Sequence, residues 1–216
     1  HPADILGVFC LVPPGQVLWA SDSPYGRPLA SALQSLRCAL EAGLKSDARF
    51  FDGPISIAGY SPRNYENTYS GEVTVADAVA RSINTVAVQV AVQTGLAKVV
   101  DMARRLGLGD DFKAEASLAL GTGEVTLLDL ASAYAVLANG GRRAWPFVID
   151  RVTDAEGRVL WRRTGTGAER IADAGAVRTL TRMMAGVIEH GTGRAARLDR
   201  DAAGKTGTTQ NSRDAW

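Results

Sequence analysis

The chain has little sulfur, only two histidines and no long apolar run, and each shortage excludes a class of function. Cys10 and Cys38 are its only cysteines. Two thiols define neither a disulfide framework nor a zinc site, so both are expected to be ordinary buried thiols, with no metal and no cofactor. They leave the redox compartment open. The longest apolar stretches, ILGVFCLV and TVAVQVAV, fall well short of the roughly 20 residues that span a bilayer. Basic residues are scattered singly or in pairs such as Arg104-Arg105 and Arg162-Arg163, and the formal net charge is +1. Nothing in that pattern forms a polyanion-binding face, so no nucleic-acid partner is expected. One more absence bears on chemistry: no serine is followed by a lysine three residues on.

At 216 residues and 46% apolar, the chain can bury one sizeable core and reads as a single domain or a large part of one. It begins at His1, with no charged segment leading into an apolar one. The N-terminus is therefore expected to be a cut edge, with any export signal or membrane anchor outside this sequence.

GVFCLVPPGQVLWA predicts two short strands around a Pro-Pro-Gly turn. Leu33, Leu36, Leu40 and Leu44 predict a helix that ends near Gly43. Residues 49–72 are rich in Gly, Pro, Asn, Ser and Tyr and read as loop. Thr74 and Asp77 cap the next helix, which Arg81-Ser82-Ile83-Asn84 interrupts, and Gly95 closes the run. A helix near 95–106 carries Val99, Met102, Ala103 and Leu106 on one face. Thr126 and Asp129 open another helix, with Leu127, Leu130, Tyr134 and Leu137 as its stripe. FVIDRVTDAEGRVLWRR alternates about a turn and predicts a β-hairpin, followed by a polar loop at 164–168. The last helix, near 174–190, turns Val177, Leu180, Met184, Val187 and Ile188 inward and leaves His190 as a cation at its C-terminal end. This order predicts an α+β fold with helices packed on an antiparallel sheet.

Gly204-Lys205-Thr206-Gly207 could grip an anion. A phosphate-binding P-loop needs a glycine five residues before the Gly-Lys pair and a helix after it. Here Asp199 stands where the first glycine should be, and no helix can follow within the sequence. The phosphate reading fails. Lys-Thr-Gly, with Ser82-Ile83-Asn84 earlier as a Ser-x-Asn turn at a helix junction, resembles instead the motifs of serine acyltransferases that act on D-Ala-D-Ala peptides or β-lactams, a resemblance that implies a lysine and a threonine facing a substrate carboxylate.

Longer stretches carry the specific signal. YSPRNYENTYSGEVTVADAVARSINTVAVQVAVQTG, SLALGTGEVTLLDLASAYAVLANGG and MMAGVIEHGTGRAARLDRDAAGKTGTTQNSRDAW occur in the order of one family. Together they cover roughly residues 54–216. The chain resembles the transpeptidase domain of class A (bifunctional) penicillin-binding proteins, in the penicillin-recognising serine acyltransferase superfamily. The resemblance implies a β-lactamase/transpeptidase-like fold and an extracytoplasmic, periplasmic-side enzyme whose membrane anchor lies outside this chain. It implies D,D-transpeptidase chemistry that cross-links peptidoglycan stem peptides ending in D-Ala-D-Ala, and acylation by β-lactams. It places catalytic roles on Ser82, Asn84 and Lys205 and a substrate-facing strand at Lys205, Thr206, Gly207 and Thr208. It also implies further strands and a helix after Trp216 and a shortened region between Ala20 and Arg27, so residues 1–216 would form a domain truncated at both ends.

The family's nucleophile lies in Ser-x-x-Lys, where lysine accepts the serine proton. The best match is LASALQSL, with Ser31 in the serine position and Gln34 in the lysine position. An alignment run backward from LEAG instead puts Leu29 at the nucleophile position. A glutamine carboxamide is no base at neutral pH. Three readings follow: a transpeptidase domain acylated at Ser31, a catalytically impaired remnant that only binds carboxylated peptides or β-lactams, and a β-lactamase of the same superfold. The third is disfavoured because nothing marks a deacylating base.

Overall fold

A computed structural model describes residues 8–11, 17–20, 30–57, 59–123, 125–143, 145–164 and 169–207. Strands β1 (Val8–Leu11) and β2 (Val17–Ala20) pair antiparallel, and helix α1 (Ala30–Glu41) follows. Strand β3 (Arg49–Asp52) pairs antiparallel with β4 (Gly71–Thr74), with Phe50 opposite Val73. Then come α2 (Val75–Arg81), α3 (Asn84–Thr94), α4 (Leu96–Arg105) and α5 (Leu127–Ala138). A hairpin of β5 (Arg151–Thr153) and β6 (Val159–Arg162) precedes α6 (Ala174–Glu189). Helices thus combine with short antiparallel ladders, the α+β class that the pattern predicts.

The capping residues explain where the helices start. Thr74 Oγ1 accepts the Asp77 N–H at 3.1 Å, Thr126 Oγ1 accepts that of Asp129 at 3.1 Å, and Asp173 Oδ1 accepts that of Ala176 at 2.8 Å. Each bond satisfies an amide that has no partner inside its own helix. Between α3 and α4 the chain turns by 92° at Gly95, whose φ of +100° suits only glycine. No single helix among the described residues is long and apolar enough to cross a membrane.

One packed core unites the helices. α1 lies against α3, α4 and α6, and α2 lies against α6. Leu180, Met184 and Val187 of α6 are at most 1% exposed, and Val99, Met102 and Ala103 of α4 at most 3%. Burying a side chain of this size contributes roughly 1.5–3 kcal/mol. The stripes read from the sequence are fully buried in α4 and α6, whereas Leu40, Leu44 and Leu127 of the other stripes are half-buried. Cys38 is buried as expected, and burial above all pushes its thiol up to about 11, which makes it unreactive at neutral pH. The β5–β6 hairpin stands apart, with Val152, Val159, Leu160 and Trp161 all exposed.

The loop expected over 49–72 needs correction. Its two ends are strands, and only its middle is irregular. Phe50, Phe51 and Val73 carry the strand propensity, but four-residue strands are submerged when composition is averaged over 24 residues. The irregular middle is closed by Asp52, which ties both ends of the excursion to α3.

Candidate active site at the α2–α3 junction

Ser82 ends α2 in the left-handed conformation, with φ 59° and ψ 47°. Its N–H bonds the Val79 carbonyl at 3.2 Å, and the Ile83 N–H bonds that of Ala78 at 2.9 Å. This is a Schellman closure, whose left-handed position usually holds glycine. Serine there costs about 1–2 kcal/mol of backbone strain. Ile83 is buried behind it at 6% exposure, and Asn84 begins α3 immediately afterwards. The junction expected at Arg81–Asn84 is therefore real, and it holds two polar side chains in fixed positions.

The surrounding polar groups fix it further. The Asn84 side-chain amide donates to the Arg63 carbonyl at 2.8 Å. Next to it, the Thr85 N–H donates to Asn64 Oδ1 at 3.2 Å and the Thr85 hydroxyl to Asp52 Oδ1 at 2.7 Å. Asp52 also accepts from the Asn64 amide at 2.6 Å and from the Ser70 N–H at 2.8 Å. Both Asp52 and Thr85 are at most 1% exposed. Three donors on one buried carboxylate satisfy it and stitch β3, the 53–70 excursion and the start of α3 into one unit.

Lys205 arrives from the far end of the sequence. Its Nζ lies 2.7 Å from Ser82 Oγ and 2.7 Å from the Thr206 carbonyl oxygen. Burial lowers its pKa from the ordinary 10.5 to about 8. Thr206 Oγ1 in turn shares a hydrogen bond with Thr192 Oγ1.

What brings these groups together is a close approach of α6 to α2. The Thr192 N–H bonds the Ala80 carbonyl at 3.0 Å, and a Cβ placed on Gly191 would stand 2.2 Å from that same oxygen. Only glycine permits that approach. The Gly204 N–H bonds the Met184 carbonyl at 3.2 Å, so α6 also anchors the segment carrying Lys205.

The structure thus joins Ser82 to Lys205 and sets Asn84 and Thr206 beside them in the chain. Lys205, Thr206 and Gly207, expected on a strand, lie outside any strand among the described residues. Ser31 lies in the first turn of α1, but its side chain and that of Gln34 fall outside the described residues, as does Thr208. Sequence reasoning missed Asp52, Asn64, Thr85, Gly191 and Thr192. Only the last two carried a signal, as part of the Gly-Thr-Gly that follows the last helix. A separate cavity of about 550 Å³, lined by Asp110, Lys113, Glu115 and Thr122 among others, includes none of Ser82, Asn84 and Lys205.

Residues 35–215 match the family model of the penicillin-binding protein transpeptidase domain. The chain belongs to that family. It is 34% identical over 207 aligned residues to penicillin-binding protein 1A of Rickettsia typhi, an alignment covering 82% of this chain and 26% of the relative. Its fold superposes on the crystal structure of penicillin-binding protein 1A from Haemophilus influenzae with a TM-score of 0.80 at 24% identity, covering 89% of this chain and 36% of that one. The D,D-transpeptidase domain of a peptidoglycan glycosyltransferase from Eggerthella lenta gives 0.78 at 25% identity, covering 89% of this chain and 56% of that one. The chain spans about a quarter of the length of the curated relatives it matches.

Proposed function

We propose that this chain is the penicillin-binding part of a cell-wall D,D-transpeptidase, working on the outer side of the cytoplasmic membrane. On this reading it takes D-Ala-D-Ala stem peptides and β-lactams, and Gln34 impairs its acylation. The carrying observation is the 2.7 Å contact between Lys205 Nζ and Ser82 Oγ, which unites two motifs separated by 123 positions.

Around that contact each side chain has a chemical task. Lys205 supplies positive charge and the Thr206 hydroxyl a hydrogen bond for a substrate carboxylate. The Asn84 NH₂ gives one of its two hydrogens to the Arg63 carbonyl, which orients the carboxamide so that its second hydrogen and its Oδ1 can meet the amide group of a substrate. The resemblance assigns Gly207 and Thr208 to the same substrate-binding segment. Ser31 occupies the family's nucleophile position without the lysine that would accept its proton. General-base assistance contributes about 10²–10⁴-fold, so acylation of Ser31 is expected to be slower by that factor. The absent lysine favours carboxylate binding with little turnover over full transpeptidation.

Fluorescent penicillin tests both parts. The expected result is saturable binding, weakened roughly ten- to hundredfold in Lys205→Ala through the lost charged hydrogen bond. Rapid labelling that disappears in Ser31→Ala would overturn the impairment. No binding at millimolar penicillin would overturn the reading itself.

A further inference from the structure

The β5–β6 hairpin gathers basic and aromatic side chains that the core leaves unused. Trp145, Phe147 and Trp161 each show about half their surface to solvent. The Arg143 guanidinium lies over the Trp145 ring, 4.8 Å from its centroid, and that of Arg163 over Phe147 at 4.3 Å. Trp161 stands directly opposite Val152, and one residue along, on the other face of the ribbon, Arg151 stands opposite Arg162. Opposed side chains start about 4.5–5.5 Å apart, and like charges placed there destabilise a hairpin. Among the described residues neither of these two guanidinium groups has a hydrogen bond or an ion pair.

We propose that the hairpin is a second binding site, sharing no residue with the Ser82–Lys205 cleft, that holds the peptidoglycan polymer itself. Sugar rings of the glycan lie on the exposed aromatic side chains, and carboxylates of the stem peptides bridge Arg151 and Arg162. This rests on the reading that the chain is part of a cell-wall transpeptidase, and it assigns the surface that grips the polymer away from the peptide terminus.

The chemistry of the patch selects this partner. Guanidinium groups stack on aromatic faces and pair with carboxylates through two parallel hydrogen bonds. Rings beside unpaired arginines therefore suit a ligand that alternates flat C–H faces with carboxylates, as a glycan bearing acidic peptides does. The ribbon edges are poor templates for an added protein strand, because β5 has three residues and the register shifts between Val152 and Thr153. A second copy of the chain would set Arg151 and Arg162 against their own kind. A bilayer of uniform negative charge would meet Asp150, Asp154 and Glu156 on the same hairpin. The two acids at the tip are turned onto Arg158, at 2.6 and 3.5 Å, so they leave Arg151 and Arg162 uncompensated. The base of the hairpin is fixed to the core. The Arg143 N–H donates to the Glu169 carbonyl at 2.9 Å, and Arg143 Nη2 to the Arg105 carbonyl of α4 at 2.9 Å. A surface held in this way loses little freedom on binding.

The test is cosedimentation of the 216-residue chain with purified insoluble peptidoglycan, with millimolar benzylpenicillin occupying the cleft. The informative variant is Arg151→Glu/Arg162→Glu, which reverses the charge yet keeps like charges opposed, so the hairpin's own stability is matched. The expected result is saturable retention, weakened about tenfold or more in that variant and about two- to tenfold in Trp161→Ala. Retention should also fall when an amidase has stripped the stem peptides from the glycan. Melting temperature and fluorescent-penicillin binding should stay unchanged in both variants, because all three side chains are exposed. Retention indifferent to both variants, or no retention while penicillin still binds, overturns the hairpin site and leaves the penicillin-binding reading standing. Retention on phosphatidylglycerol vesicles but not on peptidoglycan overturns it in favour of a lipid surface. No penicillin binding by the unaltered chain overturns the underlying reading and the proposal with it.

Discussion

Asp52 and Arg37 are both 1% exposed, yet their surroundings are opposites. Asp52 accepts three hydrogen bonds, from Asn64, Ser70 and Thr85, all at 2.8 Å or less. Arg37, in the middle of α1, makes none from Nε, Nη1 or Nη2 among the described residues. Its described ion-pair partner, Glu41 Oε1, stands 4.0 Å away and already accepts the Asp173 N–H at 2.9 Å. Burial pulls the Arg37 pKa down against the attraction of Glu41. A buried charge that is fully hydrogen-bonded becomes a fixing point, whereas one held by a single 4.0 Å ion pair with no hydrogen bond among the described residues is a liability. The first stands directly behind the candidate active site. The second stands in a helix that organises the core.

Substitutions should separate the two with opposite signs. The largest effect is expected from Asp52→Ala, which strands the Thr85 hydroxyl and leaves the Asn64 amide only the Thr68 carbonyl. It should destabilise the fold by about 3–5 kcal/mol, read as a lower urea midpoint, and weaken penicillin binding as Asn84 loses its support. Arg37→Met should be neutral or stabilise by up to about 4 kcal/mol. A loss for Arg37→Met comparable to that for Asp52→Ala would erase the contrast.

Lys205 lies between the two extremes, buried but with two oxygen partners. Its folded pKa of about 8 is below the ordinary 10.5, so between these values the unfolded chain holds a proton the folded chain has released. Stability should therefore rise as pH goes from about 8 to 10.5. A urea-midpoint series should show that slope, and Lys205→Met should flatten it. The smallest expected effect is a gain of about 1 kcal/mol in Ser82→Gly, from relief of the left-handed serine, measurable as a slightly higher melting temperature.

Local signals in the sequence resolved much of this fold. Thr74 with Asp77 and Thr126 with Asp129 marked helix starts that the structure places at the same residues. The buried face of α6 followed from apolar spacing alone. Arg37 was also accessible to that logic, because Leu33, Leu36 and Leu40 put position 37 on the inner face of α1, although charge suggests solvent. Asp52 was not. Its three partners come from an irregular excursion and a distant helix, and no spacing rule links positions 52, 64, 70 and 85. The pairing of Ser82 with Lys205 is equally non-local and entered the reading only through family resemblance. The two strands within 49–72 were too short to register against their Gly- and Pro-rich surroundings.

The account depends on one buried amine held against one serine hydroxyl. Direct NMR titration of the Lys205 side-chain nitrogen tests this most closely. A midpoint near 8 that moves when Ser82 becomes glycine is the predicted result. A midpoint near 10.5, indifferent to residue 82, would contradict it.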